Sequence, residues 1–335
     1  MAGHLAVVNA GGWGTALAIR LARAGHAVRL WCRRPALADE LTRSRENRDY
    51  LAGVALPDQI LPTASIIEAV DGAAALLLVP ISRAMRETAR LVAPHWRTAA
   101  PVLHASKGLE LPSLRRLSEV IADELAMPAA RVAVLSGPTH AEEVARGVPT
   151  AAVIACGDAR VAGAFQELLH GPLFRAYTST DVVGVELCGA LKNVIALATG
   201  AIDGLGYGDN TRAALITRAL AEIGRLVQAA GGDPRTVAGL AGLGDVVGTC
   251  TSRHSRNRWA GEQIGRGQSP EAVLASTRQV IEGFPAALAA VELGARYGVD
   301  LPVCRQVHEV LRGITPVGEA MTHLMAREAT VELSN

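Results

Sequence analysis

The first 33 residues constrain the fold more than any other stretch. Leu5–Val8 is a short apolar run, Asn9–Gly14 (NAGGWG) is glycine-rich, and Thr15–Ala24 carries Leu17, Leu21 and Ala24 on one helical face. Gly25 and His26 end that helix, and Ala27–Trp31 reads as a second strand. A strand that turns through glycines into a helix aims backbone N–H groups and a helix N-terminus at a pyrophosphate. The G-x-G-x-x-G positions hold Asn9, Gly11 and Gly14. Asn9 therefore takes the first turn position, which Asn tolerates better than most residues with a Cβ. Gly11, Gly12, Trp13 and Gly14 are the candidate nucleotide contacts.

The same alternation continues. Strand candidates Ala75–Val79, Val102–Ala105, Val132–Leu135 and Thr150–Ala155 are interleaved with the helical stretches Leu37–Arg43, Arg83–Val92, Leu114–Leu125 and Ala159–Leu169. Strands alternating with helices predict an α/β sheet that is mostly parallel. From about residue 185 the strand signal fades, and Gly184–Ala201, Thr211–Ala230, Asn257–Arg266, Ala286–Tyr297 and Pro302–Arg312 read as helices between glycine-rich joints. The expected organisation is an α/β domain over residues 1–184 and an all-α domain over 185–335. Half the residues are hydrophobic and 19% are charged, enough apolar surface for large cores. A net charge of +1 argues against nucleic acid or an anionic membrane as the main partner. No apolar run approaches the roughly 20 residues of a membrane helix, and the N-terminus has no basic leader pattern. The cysteines at 32, 156, 188, 250 and 304 show no zinc or CxxC spacing, the histidines show no metal spacing, and a reducing cytoplasm is the simplest setting.

Only two lysines, Lys107 and Lys192, occur among 33 basic residues. Arginine serves nearly every other cationic position, so a retained lysine points to what arginine cannot do, which is to release a proton. At the end of the second strand, where an acidic residue would bind the ribose 2′-hydroxyl of NAD, the chain has Cys32-Arg33-Arg34-Pro35. Two guanidiniums suit a 2′-phosphate, so NADP(H) is the expected cofactor and NAD(H) the second choice.

Together these residues resemble the bacterial NAD(P)-dependent sn-glycerol-3-phosphate dehydrogenases. The matching segments are Gly11–Ala18, Ser106–Glu110 (SKGLE), Leu135–Ala145 (LSGPTHAEEVA), Gly189–Ile195 (GALKNVI), Gly239–Thr251 (GLAGLGDVVGTCT), Ser255–Arg258 (SRNR) and Val280–Phe284 (VIEGF). They run in family order over nearly the whole chain. The resemblance implies a Rossmann-like N-terminal domain, an all-helical C-terminal domain and an active site in the cleft between them. It further implies reduction of dihydroxyacetone phosphate to glycerol 3-phosphate, the precursor of phospholipids, and is compatible with a homodimer. Departures from the family pattern are Asn9 for the first glycine, Gly12 for serine and His140 for phenylalanine.

Reducing a ketone needs a hydride on carbon and a proton on oxygen, so the protein must supply an acid. Lys192 lies in the apolar stretch Val183–Ala198, where desolvation favours release of its proton. The resemblance makes it the general acid/base and a substrate contact. Asn193 is about 100° around the helix and should have a different neighbour. Lys107 follows a strand, where α/β sheets bind ligands. The resemblance makes it a substrate and cofactor contact, and a structural ion pair is the other reading. Ser255, Arg256 and Asn257 offer a hydroxyl, a guanidinium and an amide to a phosphate, with Ser255 equally suited to cap a helix. The resemblance carries all three over as substrate contacts, Arg256 also reaching the cofactor. It carries Gly137, Thr139 and Asp245 over toward the substrate, and Ala141, Val280 and Glu282 toward the cofactor. Asp245 could instead cap a helix, and Glu282 could occupy an ordinary turn. His254 reads as a surface or supporting residue. Two other functions fit parts of the pattern. One is a ketopantoate-type or 3-hydroxyacid reductase, and the other is a protein that senses NADP without chemistry.

Overall fold

Eight strands build one sheet in the computed structural model, which describes residues 3–96, 100–277, 279–329 and 331–332. They are β1 (Leu5–Val8), β2 (Val28–Trp31), β3 (Ile60–Thr63), β4 (Ala75–Leu78), β5 (Val102–His104), β6 (Val132–Ser136), β7 (Thr150–Ala155) and β8 (Phe174–Ser179). Their spatial order is β8-β7-β6-β5-β4-β1-β2-β3, and every neighbouring pair is parallel except β6 with β7. The alternating strand and helix pattern thus yields the mostly parallel sheet it predicts. Both faces are covered. Leu5 and Val7 join one apolar cluster with Leu17, Leu21 and Leu77, while Ala6 and Val8 join another with Leu76, Leu78 and Ile121. Continuous apolar runs such as β1 and β4 are what a sheet covered on both sides requires.

Two sheet strands escape the sequence pattern. Pro62 lies in β3, opposite Leu30, and a proline demotes a run as a strand; β3 is an edge, where a missing N–H is tolerated. The other edge, β8, alternates buried Phe174 and Ala176 with exposed Arg175 and Tyr177, a period of two that was readable. The expected Leu114–Leu125 helix begins at Leu117, because Arg115–Arg116 pairs with Leu109–Glu110 in a small hairpin.

The chain separates into two compact units. One comprises Met1–Ala190 with Ala230–Asp245, and the other Leu191–Ala229 with Val246–Asn335. The division falls inside the helix Val182–Gly204, past the border expected at 184, and the first unit takes back the segment Ala230–Asp245. The helix Val182–Gly204 is 23 residues long and contains an 18-residue window of mean hydropathy 1.6, enough by length and composition to cross a bilayer, yet 89% of that window is buried inside the protein. It is a core helix whose polar residues, Glu186, Lys192, Asn193 and Asp203, interrupt the run.

The second unit is helical. Its members include Asp209–Ala229, Arg256–Gly265, Pro270–Ala275, Gly283–Tyr297, Pro302–Leu311 and Val317–Met325. Glycines let two of its helices meet backbone to backbone. A Cβ on Gly200 would come within 1.9 Å of the Arg258 carbonyl oxygen, and one on Gly261 within 1.9 Å of the Leu197 carbonyl oxygen. Gly204 and Gly265 repeat the arrangement one turn along, at 2.3 Å from the Glu262 oxygen and 2.4 Å from the Ala201 oxygen. Only glycine permits so close an approach. The crossing fixes where Asn193 meets the start of the Arg256–Gly265 helix.

Candidate active site

In the α/β unit, β1 runs through Asn9 into the helix Gly12–Arg23. Asn9 takes φ = +96°, so it performs the turn that a glycine would otherwise make. A Cβ on Gly14 would lie 2.0 Å from the Asn9 carbonyl oxygen, so strand and helix can pack this tightly only with glycine there. Gly11, by contrast, has nothing within 4 Å of the place its Cβ would occupy. The helix starts with no side-chain cap bond and no acidic residue in its first turn. Open space over Gly11 and a helix N-terminus not occupied by a side chain fit a dinucleotide pyrophosphate, with Trp13 half-buried beside them. Arg33 and Arg34, just past β2, are exposed, and Arg34 Nη2 donates to Asp49 Oδ2 at 2.5 Å. That bond raises the Arg34 pKa.

Lys107, three residues past β5, is a clamp. Its Nζ donates to Asp245 Oδ2 at 2.6 Å and to the Gly137 carbonyl at 2.8 Å, with Thr139 Oγ1 at 3.5 Å. Thr139 Oγ1 also donates to the Gly137 carbonyl at 3.1 Å. Gly137 adopts φ = +132°, and a Cβ there would press within 3.1 Å of the Ala152 backbone, so the Ser-Gly-Pro loop turns where only glycine fits easily. Asp245 is 3% exposed in its side chain and follows a π-helical turn over Leu240–Gly244. Such turns recur at functional sites. The structure therefore brings Lys107, Gly137, Thr139 and Asp245 together. Ala141 opens the short helix Ala141–Arg146 just beyond.

At the end of β5 lies a buried network around Glu186 that the sequence reading missed. Glu186 accepts from Arg116 Nη1 at 3.0 Å, from the Ser118 backbone at 2.9 Å and from the Ser118 hydroxyl at 2.5 Å, and lies 3.1 Å from His104 Nε2. Burial alone would raise the pKa of Glu186, but the bonds from His104, Arg116 and Ser118 hold it below the usual carboxylate value. His104 ends β5, so the network braces the strand from which Lys107 leaves. Burial likewise pushes the Cys188 thiol up to about 12, which removes it as a nucleophile.

In the helical unit, Lys192 is 6% exposed and its Nζ donates to Thr249 Oγ1 at 2.7 Å. Thr249 went unnoticed, although it lies one helical turn after Asp245, a spacing visible in GDVVGTCT. Asn193 has the separate neighbour its angle predicts, for its Oδ1 accepts from Asn257 Nδ2 at 2.8 Å. Asn257 Oδ1 in turn accepts from the Gly283 backbone N–H at 2.9 Å. Both ends of that amide are thus engaged in joining three helices. Ser255 Oγ accepts from the Arg258 N–H at 3.2 Å and caps the helix Arg256–Gly265, the capping reading of this serine. Arg258 pairs with Asp203 at 2.6 Å. Arg256 is exposed at the helix start, and its side chain makes no hydrogen bond or ion pair among the described residues. Val280 and Glu282, both half-buried, precede the helix Gly283–Tyr297. His254 is exposed on the loop before Ser255.

Comparison with known proteins covers both units. A family model described as the N-terminus of NAD-dependent glycerol-3-phosphate dehydrogenase matches residues 4–162, and its C-terminal counterpart matches residues 181–322. The chain is 50% identical over 331 residues to a Moorella thermoacetica protein named as an NAD(P)+ glycerol-3-phosphate dehydrogenase, spanning 99% of this chain and 98% of that one. A Chlorobium limicola protein of the same name is 46% identical over 333 residues, spanning 98% of this chain and 99% of its own length. The crystal structure of glycerol-3-phosphate dehydrogenase from Coxiella burnetii superposes with a TM-score of 0.91 at 39% identity, covering 97% of this chain and 99% of that chain.

Proposed function

This chain belongs to the NAD(P)-dependent glycerol-3-phosphate dehydrogenase family, and on that premise we propose how its residues interconvert dihydroxyacetone phosphate and sn-glycerol 3-phosphate. The observation that carries the proposal is the setting of Lys192, a nearly buried amine in an apolar helix whose Nζ donates to the Thr249 hydroxyl. A dinucleotide bound at the Asn9–Gly14 turn supplies the hydride. Lys192 delivers the proton to the ketone oxygen in reduction and takes it from the alcohol in oxidation. An ammonium can do this near neutral pH, whereas a guanidinium cannot.

Lys107 acts electrostatically. Its ion pair with Asp245 and its bond to the Gly137 carbonyl fix a positive charge at a strand end, where it stabilises developing negative charge on the substrate. Arg256 binds the substrate phosphate from the first turn of its helix, where guanidinium and helix dipole act in the same sense. Ser255 and Asn257 support it from behind: Ser255 starts the helix and Asn257 anchors it to Asn193 and Gly283. Arg33 and Arg34 give NADP(H) the advantage over NAD(H) through the 2′-phosphate. The product then serves glycerophospholipid synthesis.

The deciding measurement is NADPH oxidation on addition of dihydroxyacetone phosphate, repeated with NADH and with unphosphorylated dihydroxyacetone. Turnover should need the phosphate and run better with NADPH. Turnover of an unphosphorylated 2-keto acid in its place would move the substrate assignment to the ketopantoate-type reductases. No oxidation with any ketone would leave dinucleotide sensing.

A further inference from the structure

The segment between the short strands Glu46–Asn47 and Leu51–Ala55 is fastened to the glycine turn. Asn47, wholly buried, donates through Nδ2 to the Ala10 carbonyl at 3.0 Å and to Thr15 Oγ1 at 2.7 Å. The next residues therefore sit over the start of the helix Gly12–Arg23. A Cβ on Gly12 would come within 2.8 Å of the Tyr50 carbonyl oxygen, so the glycine at 12 and the position of this segment go together. On the segment, Asp49 holds Arg34, whose guanidinium lies 6.0 Å from the centre of the Tyr50 ring. Arg33 forms no ion pair among the described residues and is exposed.

The Arg34–Asp49 pair is about half exposed on both sides, at 55% and 49%. Such a pair is weakly held and readily exchanged. A ribose 2′-phosphate has more charge and more acceptors than a carboxylate and competes well for a guanidinium. A ribose 2′-hydroxyl is a donor, for which a carboxylate near the end of the second strand is a suitable acceptor. We propose that Asp49 is the specificity-determining residue that grades the choice between the two dinucleotides. Its carboxylate accepts the 2′-hydroxyl of NAD(H), and it also occupies Arg34, so that NADP(H) must displace it. Arg33 faces the 2′-phosphate without such a competitor. The fixed Asn47 anchor keeps Asp49 within reach of Arg34 in both cases. This rests on the reading of the turn as the NADP(H) site.

The test uses the full chain, titrated calorimetrically with adenosine 2′,5′-bisphosphate and with 5′-AMP, alongside kcat/KM for NADPH and NADH. Asp49→Asn should tighten the bisphosphate roughly 3- to 10-fold, as expected when a competing charge leaves a phosphate site, and should leave 5′-AMP unchanged or weaker. The NADPH/NADH ratio should rise by a similar factor, through KM. In an Arg34→Ala background the same substitution should tighten the bisphosphate by less than about 2-fold, because the competitor then has nothing to occupy. Equal changes for both probes, or a full gain without Arg34, would overturn the role of Asp49. If the unsubstituted chain bound neither probe, the nucleotide reading itself would fall, and this inference with it.

Discussion

Lys107 and Lys192 stand in different kinds of setting, and the contrast extends to the units that hold them. Lys107 leaves a strand end, reaches across loops and closes on the carboxylate of Asp245 at 2.6 Å. Lys192 projects from the middle of a helix and closes on the hydroxyl of Thr249 at 2.7 Å. In the α/β unit, side chains are aimed by loops and turns whose glycines adopt unusual backbone angles. In the helical unit they are aimed by crossings whose glycines remove side-chain bulk. The first arrangement suits charge clamping, since loops bring a cation and a carboxylate from distant parts of the chain into one ion pair. The second suits proton transfer, which needs an amine held in a nearly dry, rigid wall.

The largest expected effect tests that contrast directly. Lys192→Ala and Lys192→Arg should each lose about 10²–10⁴-fold in kcat, the usual cost of removing a positioned general acid. Lys107→Arg, which keeps the charge, should retain far more. Near-normal kcat in Lys192→Arg would make both lysines clamps and end the distinction. Next in size is Arg256→Ala. Loss of a charge-assisted phosphate contact costs about 1.5–3 kcal/mol, or roughly 10- to 150-fold in kcat/KM for dihydroxyacetone phosphate, and should largely vanish with dihydroxyacetone. Asn257→Ala should instead lower the melting temperature and affect both ketones alike, because its amide bonds Asn193 and Gly283. A phosphate-selective loss in Asn257→Ala would show that its amide also reaches the substrate.

A third pair compares glycines. Gly261→Ala drives a methyl group into the Leu197 carbonyl and should destabilise the chain by about 1–3 kcal/mol in urea unfolding. Gly163→Ala, in the helix Ala159–Leu169 of the α/β unit, meets nothing within 4 Å and should stabilise by about 0.4–1 kcal/mol. Equal effects would mean the close crossing relaxes at little cost.

The smallest effect concerns Glu222, which accepts from the Val303 and Cys304 backbone N–H groups at 2.7 and 3.2 Å. Burial pushes its pKa up to about 7, against the pull of those two donors. Between its ordinary value near 4.5 and 7, the folded chain holds a proton that the unfolded chain has released. Its contribution to stability is therefore full below the lower value and lost as pH rises through the upper one. Glu222→Gln should lower stability overall but flatten this slope, as read from melting temperatures between pH 4.5 and 7.5. An unchanged slope would assign it to another group.

Periodicity and glycine placement were enough to determine the alternating α/β half, the helical half and the strand–glycine–helix turn at Asn9–Gly14. These are local properties, in which apolar spacing sets the element and residue chemistry sets what it can do. The strand β3 was lost because an edge position excuses a proline, and edge status is decided by which strands pair, whereas the period of two in β8 was there to be read. The site divides in the same way. Arg256, exposed at a helix start, kept the availability its residue type suggests; Ser255 caps its own helix through Arg258, three residues on, as its residue type also allowed, whereas the Asn257 amide met Asn193 and Gly283 from other helices. Thr249, Glu186 and Asp49 found their hydrogen-bond partners 57, 68 and 15 residues away. Tertiary structure decided these pairings because a polar side chain's partner is whichever group packing brings within hydrogen-bond distance, and no local pattern records that distance.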